Sequence, residues 1–131
     1  MASQFNDAVN AQDLTTLAEL MTDGHRFIDT AGGVIAGRKA CVEAWRGFFA
    51  AFPTYRNVWT TIRTNDCGVV VAGYSTCPEH PELHGPALWK VLVERAQVAE
   101  WQVHSDTPQA RRRLGLRFNV DRMPTRWSCV R

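Results

Sequence analysis

The chain of 131 residues carries a net charge of +2, with 45% hydrophobic and 21% charged residues. This length suits one domain and is short for two, and the composition is that of a globular protein with an ordinary core. The longest apolar run, residues 69–72, is far below the roughly 20 residues that cross a bilayer, which argues against a membrane helix. The start of the chain has neither a basic stretch nor an apolar core, so we expect no secretion signal and a cytoplasmic protein.

The cysteines follow no metal-binding or redox pattern. They are Cys41, Cys67, Cys77 and Cys129. None belongs to a C-x-x-C pair, and no two share a ligand spacing with a histidine. The cysteines could form disulfides, but a domain with a hydrophobic core of this size is stable without them. We interpret all four as structural or incidental, and we expect no metal and no cofactor.

Charge is unevenly distributed along the chain. Residues 1–109 hold 8 Lys/Arg against 12 Asp/Glu, whereas residues 110–131 hold 7 Arg against the single Asp121. A basic tail can touch nucleic acid or an acidic partner, but this one lacks heptads, zinc spacing and any nucleic-acid module. We therefore expect one domain over residues 1–114 and a solvated or partly disordered tail over residues 115–131, with no nucleic-acid partner.

The first quarter of the chain predicts two short helices. Ser3 can cap the first helix and Asp13 the second, because short polar side chains accept hydrogen bonds from the free amides of a first turn. Apolar residues recur at helical spacing in both. Gly24 is expected to end the second helix.

A strand and a longer helix come next. Residues 25–30 predict a strand that turns at Gly32 and Gly33. The third helix is expected from about residue 38 to residue 51, where Pro53 stops it. Its larger apolar side chains are Cys41, Val42, Trp45, Phe48, Phe49 and Phe52.

The rest of the domain predicts an antiparallel meander and a short basic helix. The expected strands cover residues 55–64, 68–76, 87–93 and 97–105, and the helix covers residues 108–114. Helices that precede such a meander indicate an α+β fold rather than a parallel α/β fold. A strongly twisted sheet around the third helix leaves a cavity at its open end.

Short motifs along the chain carry a family resemblance. They are Asn10-Ala11-Gln12-Asp13-Leu14, Leu20-Met21-Thr22-Asp23-Gly24-His25, Phe27-Ile28-Asp29, Gly37-Arg38, Trp45, Phe48-Phe49 and Val98-Ala99-Glu100-Trp101. In this order, over about residues 4–114, they resemble the SnoaL-like polyketide cyclase branch of the nuclear transport factor 2-like superfamily. The resemblance implies a cone-shaped barrel, with three N-terminal helices packed on a strongly curved, mainly antiparallel sheet that encloses a pocket. It also implies a homodimer through the sheet.

The resemblance makes Asp29 the first candidate for catalysis. The ketosteroid isomerases of this superfamily carry a general base on the first strand, and Asp29 stands at the matching place. Their two oxyanion-hole donors fall on Phe5 and on Leu88 or Trp89, so the familiar steroid isomerisation is disfavoured. The last-strand aspartate of polyketide cyclases and limonene-epoxide hydrolases falls near Val103, which cannot transfer a proton.

Two roles for Asp29 are open from the sequence. It follows an apolar strand segment, where burial favours a working acid or base. The alternative is that Asp29 merely caps the turn at residues 32–33. Alternate residues of a strand share a face, so His25 and Phe27 are expected beside Asp29 in the cavity. At ~3.3 Å per residue, His25 is too far from Asp29 to form a dyad.

Aromatic residues are expected to form the walls of the pocket. The candidates are Trp45, Phe49, Trp89 and Trp101, together with Val103. Trp89 and Trp101 are symmetric about Arg95, so an in-register hairpin places them opposite each other, with Lys90 on the other face. A plain aromatic core is the alternative to a pocket wall.

The other polar residues are not expected to form a catalytic triad or a metal site. His104 and Ser105 are neighbours on a strand and point to opposite faces, which rules out a triad between them. Asp106 is expected to cap the last helix. The loop that carries His80 and His84 matches no tight metal site.

The sequence thus predicts a cofactor-independent enzyme that acts by proton transfer on a small hydrophobic molecule, with polycyclic molecules included in this class. Isomerisation, dehydration and cyclisation fit equally well, with Asp29 as the acid or base. Two alternatives stay open: a domain that binds a small molecule without turning it over, and a dimeric interaction module whose pocket is vestigial.

Overall fold

A computed structural model of the protein describes residues 1–116. The helices are α1 (Ala2–Ala11), α2 (Leu14–Leu20), α3 (Arg38–Ala51) and α4 (Pro108–Leu114). The strands are β1 (Met21–Ile28), β2 (Val34–Ala36), β3 (Arg56–Asn65), β4 (Gly68–Thr76), β5 (Gly85–Glu94) and β6 (Gln97–Ser105), with a 3-10 turn at Pro81–Leu83. Nearly all of the tail expected at residues 115–131 lies outside the described residues.

The strands form one six-stranded sheet in the order β2-β1-β6-β5-β4-β3. Every pairing is antiparallel except that of β1 with β6, which is parallel. The expected α+β class and mainly antiparallel sheet are therefore confirmed. The sheet is not closed, because β2 and β3 are free edges, so it is an open cone rather than a full barrel.

The two faces of the sheet are covered by different helices. The main core packs between the inner face and the first three helices, around Phe5, Leu17, Trp45 and Trp101. On the outer face, α4 places Leu114 in a smaller cluster on β4 and β5. No helix among the described residues is long and apolar enough to cross a membrane.

The beginning of the domain differs from the prediction. Helix α2 ends at Leu20 rather than at Gly24, and β1 already begins at Met21, which pairs with Val98 of β6. The Asp13 cap is confirmed, since its carboxylate accepts a hydrogen bond from the Thr16 amide at 3.1 Å. Ser3 is not a cap, because it lies inside α1, which begins one residue earlier.

The last hairpin has a different register from the expected one. Trp89 is opposite Val103, and Trp101 is opposite Val91. An irregularity of the pairing next to Leu92 shifts the register. The two tryptophans therefore lie on the same inner face but not opposite each other. Lys90, between two inner-face residues, lies on the outer face as expected.

Candidate functional site

A cavity of about 620 Å³ opens at one end of the cone. The C-terminal ends of β1, β4 and β6 and the N-terminal ends of β3 and β5 all meet there. Helix α3 forms the facing wall, and the segment around Pro81–Leu83 borders the mouth. The opposite end of the cone is closed by α1 and the inner-face core.

Several aromatic rings line the cavity. The rings that line it include Phe27, Trp45, Phe48, Trp89 and Trp101. Trp45 meets the edges or faces of Phe27 and Phe48 at centroid distances of 5.7 and 5.9 Å, a range in which aromatic pairs attract. Such a wall suits a flat or hydrophobic molecule.

Behind the wall, three indole rings lie against one another. Trp59 of β3 stacks on Trp101 at a centroid distance of 5.5 Å and an interplanar angle of 23°. It also lies 6.0 Å from Trp89. Two cavity-lining rings are thereby held by a third ring that does not line the cavity.

Most of the expected wall residues line the cavity. Phe27, Trp45, Trp89, Trp101 and Val103 all do so. Phe49 does not: it is buried behind Trp45, at a centroid distance of 5.4 Å. This expectation is corrected, because the helical turn points Phe49 into the core between α3 and the sheet.

His25 is the second correction. It is fully buried and lies outside the cavity lining. Its Nδ1 contacts the Val98 carbonyl oxygen at 2.7 Å, and its ring stacks on Phe5 at 5.5 Å. The irregular pairing of β1 with β6 between residues 21 and 26 turns this side chain towards α1. Burial lowers the pKa of His25, so the neutral imidazole is favoured in the core.

Asp29 is at the rim of the cavity, one residue beyond β1. Its side chain is exposed, and Oδ1 accepts hydrogen bonds from the amides of Ala31 at 2.9 Å and Gly33 at 2.8 Å. Among the described residues, none donates to Oδ2. The expected burial of this carboxylate is therefore wrong: Asp29 caps the turn with one oxygen, as in the alternative role, and keeps the other available at the cavity mouth.

The polar end of the cavity consists of residues that the sequence analysis missed. Tyr55, Ser75 and Asn57 all line it. Tyr55 Oη lies 2.9 Å from Ser75 Oγ, which donates to Asn57 Oδ1 at 2.9 Å. Asn57 Nδ2 in turn donates to Asn6 Oδ1 of α1 at 3.3 Å. We call these four side chains the polar chain.

A second residue of α1 holds this end in place. Asn10 Nδ2 donates to the carbonyl oxygen of Asn57, and Asn10 Oδ1 accepts from its amide, both at 2.8 Å. The side chain thus pairs with the edge of β3 as a neighbouring strand would. The position of Asn57 is therefore set by hydrogen bonds on both its backbone and its side chain.

A phenol and a thiol at the cavity favour their neutral forms. Burial raises the pKa of the Tyr55 phenol. Burial also raises the pKa of the Cys41 thiol, which points at the Ile35 carbonyl oxygen at 3.4 Å. A protonated, hydrogen-bonded thiol is a poor nucleophile.

Residues near the end of β6 lie between the cavity and the outer face, and His104 and Ser105 also line the cavity. His104 is opposite Leu88, whose side chain packs under α4. The pKa of His104 is lowered by burial and by the positive charges of Arg113 and Lys90. Asp106 does not cap α4; it accepts two hydrogen bonds from Arg111, while Thr107 is the cap. Within residues 1–116, no group of three His, Cys, Asp or Glu side chains has metal-site geometry.

A second depression, of about 660 Å³, lies at the start of α3. It is bordered by the exposed ion pair of Arg38 and Asp23, at 2.8 Å. It is wide open to solvent and has no aromatic wall, so the aromatic cavity is the better candidate site.

Comparison with known proteins agrees with this architecture. A family model described as the SnoaL-like domain matches residues 2–118. The chain belongs to this family. The SnoaL-like domain thus extends over nearly the whole described chain. No curated protein matches the sequence.

Solved structures share the fold at low sequence identity. A provisionally named polyketide cyclase from Sinorhizobium meliloti superposes with a TM-score of 0.70 and 14% identity, covering 79% of this chain and 92% of that one. IdmH from Streptomyces antibioticus, also provisionally named a polyketide cyclase, gives 0.68 and 18%, covering 80% and 88%. A SnoaL-like protein of unknown function from Burkholderia thailandensis gives 0.67 and 17%, covering 81% and 92%. These similarities confirm the conical fold of the SnoaL-like domain.

Proposed function

We propose that this SnoaL-like domain is a cofactor-independent enzyme that transfers a proton on a small hydrophobic molecule, as an isomerase, dehydratase or cyclase. The observation that carries the proposal is the division of the cavity: its wall is aromatic, whereas the polar chain is gathered at one end. An apolar pocket with a few convergent polar groups is the usual form of a small-molecule site.

Asp29 is the proposed acid or base. Its Oδ2 takes the proton from, or returns it to, a carbon or oxygen of the bound molecule at the cavity mouth. Its Oδ1 is held by the amides of Ala31 and Gly33, which orients the carboxylate. Positioned proton transfer of this kind contributes typically 10²–10⁴-fold to a rate.

A domain that binds the same molecule without turning it over is the second candidate. The observation in its favour is that the Asp29 side chain is exposed and already serves the turn. The vestigial-pocket alternative has less support, because Phe49, Trp89 and Trp101 leave the cavity open rather than filling it.

Deuterium exchange separates the two candidates without knowledge of the natural substrate. 2-Tetralone, a hydrophobic ketone with acidic C–H groups, is incubated with the protein in D2O, and uptake at the carbon next to the carbonyl is followed by NMR. We expect wild type to accelerate exchange and Asp29→Asn to lose about 100-fold of that acceleration. Asparagine keeps the oxygen that accepts the turn hydrogen bonds but is no base.

Binding is measured in the same samples by tryptophan fluorescence. Asp29→Asn is expected to bind 2-tetralone as wild type does, and Asp7→Asn, on the exposed surface of α1, controls for the loss of a carboxylate. Binding without any exchange in wild type would refute the enzyme and favour the binding domain. Exchange that survives in Asp29→Asn would remove Asp29 from the mechanism.

We also propose that the protein is a homodimer and is located in the cytoplasm. Helix α4 covers part of the outer face of the sheet, while Val58 and Tyr74, opposite each other on β3 and β4, remain exposed. This apolar pair would be part of a dimer contact through the sheet. Sedimentation of wild type and Tyr74→Asp tests it, with a dimer expected only for wild type.

A further inference from the structure

The hydrogen bonds of the polar chain all run in one direction. This direction follows from the number of protons that each side chain can donate. Ser75 has a single O–H, and that proton is donated to Asn57 Oδ1. The 2.9 Å contact between Tyr55 and Ser75 must therefore use the phenol proton of Tyr55. Each donor in the chain points away from the cavity, towards α1.

Buried side chains fix this direction of the hydrogen bonds. Asn6, Asn57 and Ser75 are 6%, 4% and 7% exposed, so water does not compete for their hydrogen bonds. Asn57 is orientated by donation of its Nδ2 to Asn6, and its backbone is fixed by Asn10. A buried polar group without a partner is costly, which keeps the chain complete.

This direction determines what Tyr55 offers to a molecule in the cavity. Its proton is already used, so its oxygen lone pairs are what a ligand can meet. Because burial raises the pKa of Tyr55, the phenol stays protonated and uncharged. A ligand carbonyl facing this oxygen would find no donor, so the ketone 2-tetralone is expected to bind with its carbonyl turned away from Tyr55, whereas a ligand hydroxyl would find an acceptor.

We propose that the polar end of the cavity selects a hydrogen-bond donor, so that the molecule bound there is a hydrophobic alcohol, enol or phenol donating its O–H to Tyr55 Oη. The inference rests on the proposed function only in that the molecule occupies the same cavity. A 180° rotation of the amides of Asn6 and Asn57 would reverse the chain, turn Tyr55 into a donor and select a carbonyl or ether instead.

Two probes of similar apolar body distinguish these directions. 2-Naphthol can donate a hydrogen bond, whereas 2-methoxynaphthalene can only accept one. At pH 7, we expect wild type to bind 2-naphthol about five- to tenfold more tightly, the difference that one hydrogen bond between neutral groups makes. Titrations are followed by tryptophan fluorescence and checked by calorimetry.

Two variants test the source of the preference. Tyr55→Phe keeps the ring and removes the oxygen, so the two probes should bind equally. Ser75→Ala removes the acceptor of the phenol proton, which frees Tyr55 to donate, so the preference should shift towards 2-methoxynaphthalene. A merely structural role of Ser75 would weaken both probes alike.

Each other outcome overturns the inference in a recognisable way. Equal binding of the two probes by wild type refutes the donor selection and leaves the proposed function intact. Preference for 2-methoxynaphthalene by wild type shows that the chain runs in the reverse direction. A preference for 2-naphthol that survives in Tyr55→Phe places the acceptor elsewhere. No binding of either probe refutes both this inference and the proposed site.

Discussion

The two ends of the cone use polar residues in opposite ways. At the closed end, His25 is fully buried and bonds to a backbone carbonyl. At the open end, Asp29 is exposed and Tyr55 borders the cavity. His25 and Asp29 are only four residues apart in sequence. Their different fates show that the packing around a strand, and not the residue type, decides which polar group can meet a ligand.

The polar side chains at the two ends of the cone also differ in their hydrogen-bond partners. The closed end pairs one imidazole nitrogen of His25 with a backbone carbonyl oxygen and stacks the ring on Phe5, and Nε2 has no hydrogen-bond partner among the described residues. The open end satisfies polar groups through one another, which leaves part of their capacity for a bound molecule. We therefore expect substitutions at the closed end to affect stability and those at the open end to affect binding and catalysis.

The largest expected effect is that of Phe5→Ala at the closed end. The side chain is fully buried, with Trp101 at 4.6 Å and His25 at 5.5 Å. Its removal should lower the free energy of unfolding by about 3–5 kcal/mol, measured by chemical denaturation. Val34→Ala, at a 49% exposed position beside the open end, should change it by less than about 0.5 kcal/mol. Similar effects of the two substitutions would contradict the comparison.

A smaller effect is expected from Asp29→Ala. The substitution removes the acceptor of two turn amides and should lower the free energy of unfolding by about 1 kcal/mol. Asp29→Asn keeps the acceptor and should stay within about 0.5 kcal/mol of wild type. If Asn were as destabilising as Ala, the charge rather than the acceptor would hold the turn.

The smallest expected effect is a change in the pH dependence of stability. The pKa of His25 is lowered by burial, so the unfolded chain takes up a proton at this residue first as the pH falls. Its contribution to stability is complete above the unfolded pKa of about 6.5 and is lost below it. Between pH 7.5 and 5, His25→Phe should lose less stability than wild type.

A second variant, His104→Gln, measures the share of the other histidine whose pKa is lowered by burial. His104 accounts for part of the remaining dependence. An unchanged pH dependence in His25→Phe would mean that the imidazole takes up its proton equally readily in the folded and the unfolded protein, against its buried position.

Elements with local signals at their ends were predictable from the sequence. Helix α3 and strands β4 and β6 have the predicted bounds. Pro53 stops the helix, and turn residues separate the strands. The turn role of Asp29 was likewise open to prediction, because its partners Ala31 and Gly33 are only two and four residues away.

Features that depend on distant residues were not predictable. The parallel pairing of β1 with β6 joins segments more than 70 residues apart, and it converts Met21–Gly24 from a helix end into a strand. The polar chain joins α1, β3 and β4. Asn57, a polar residue at the start of an alternating strand, was the one signal in the sequence that pointed to it.

The contact of Trp59 with Trp89 and Trp101 also gives the protein an optical property. Rings at centroid distances of 5.5 and 6.0 Å are close enough for their transition dipoles to interact. Near-ultraviolet circular dichroism should therefore show a coupled signal from this triplet. Because two of the three rings line the cavity, an entering molecule would change that signal, and the protein would report its own occupancy without a dye.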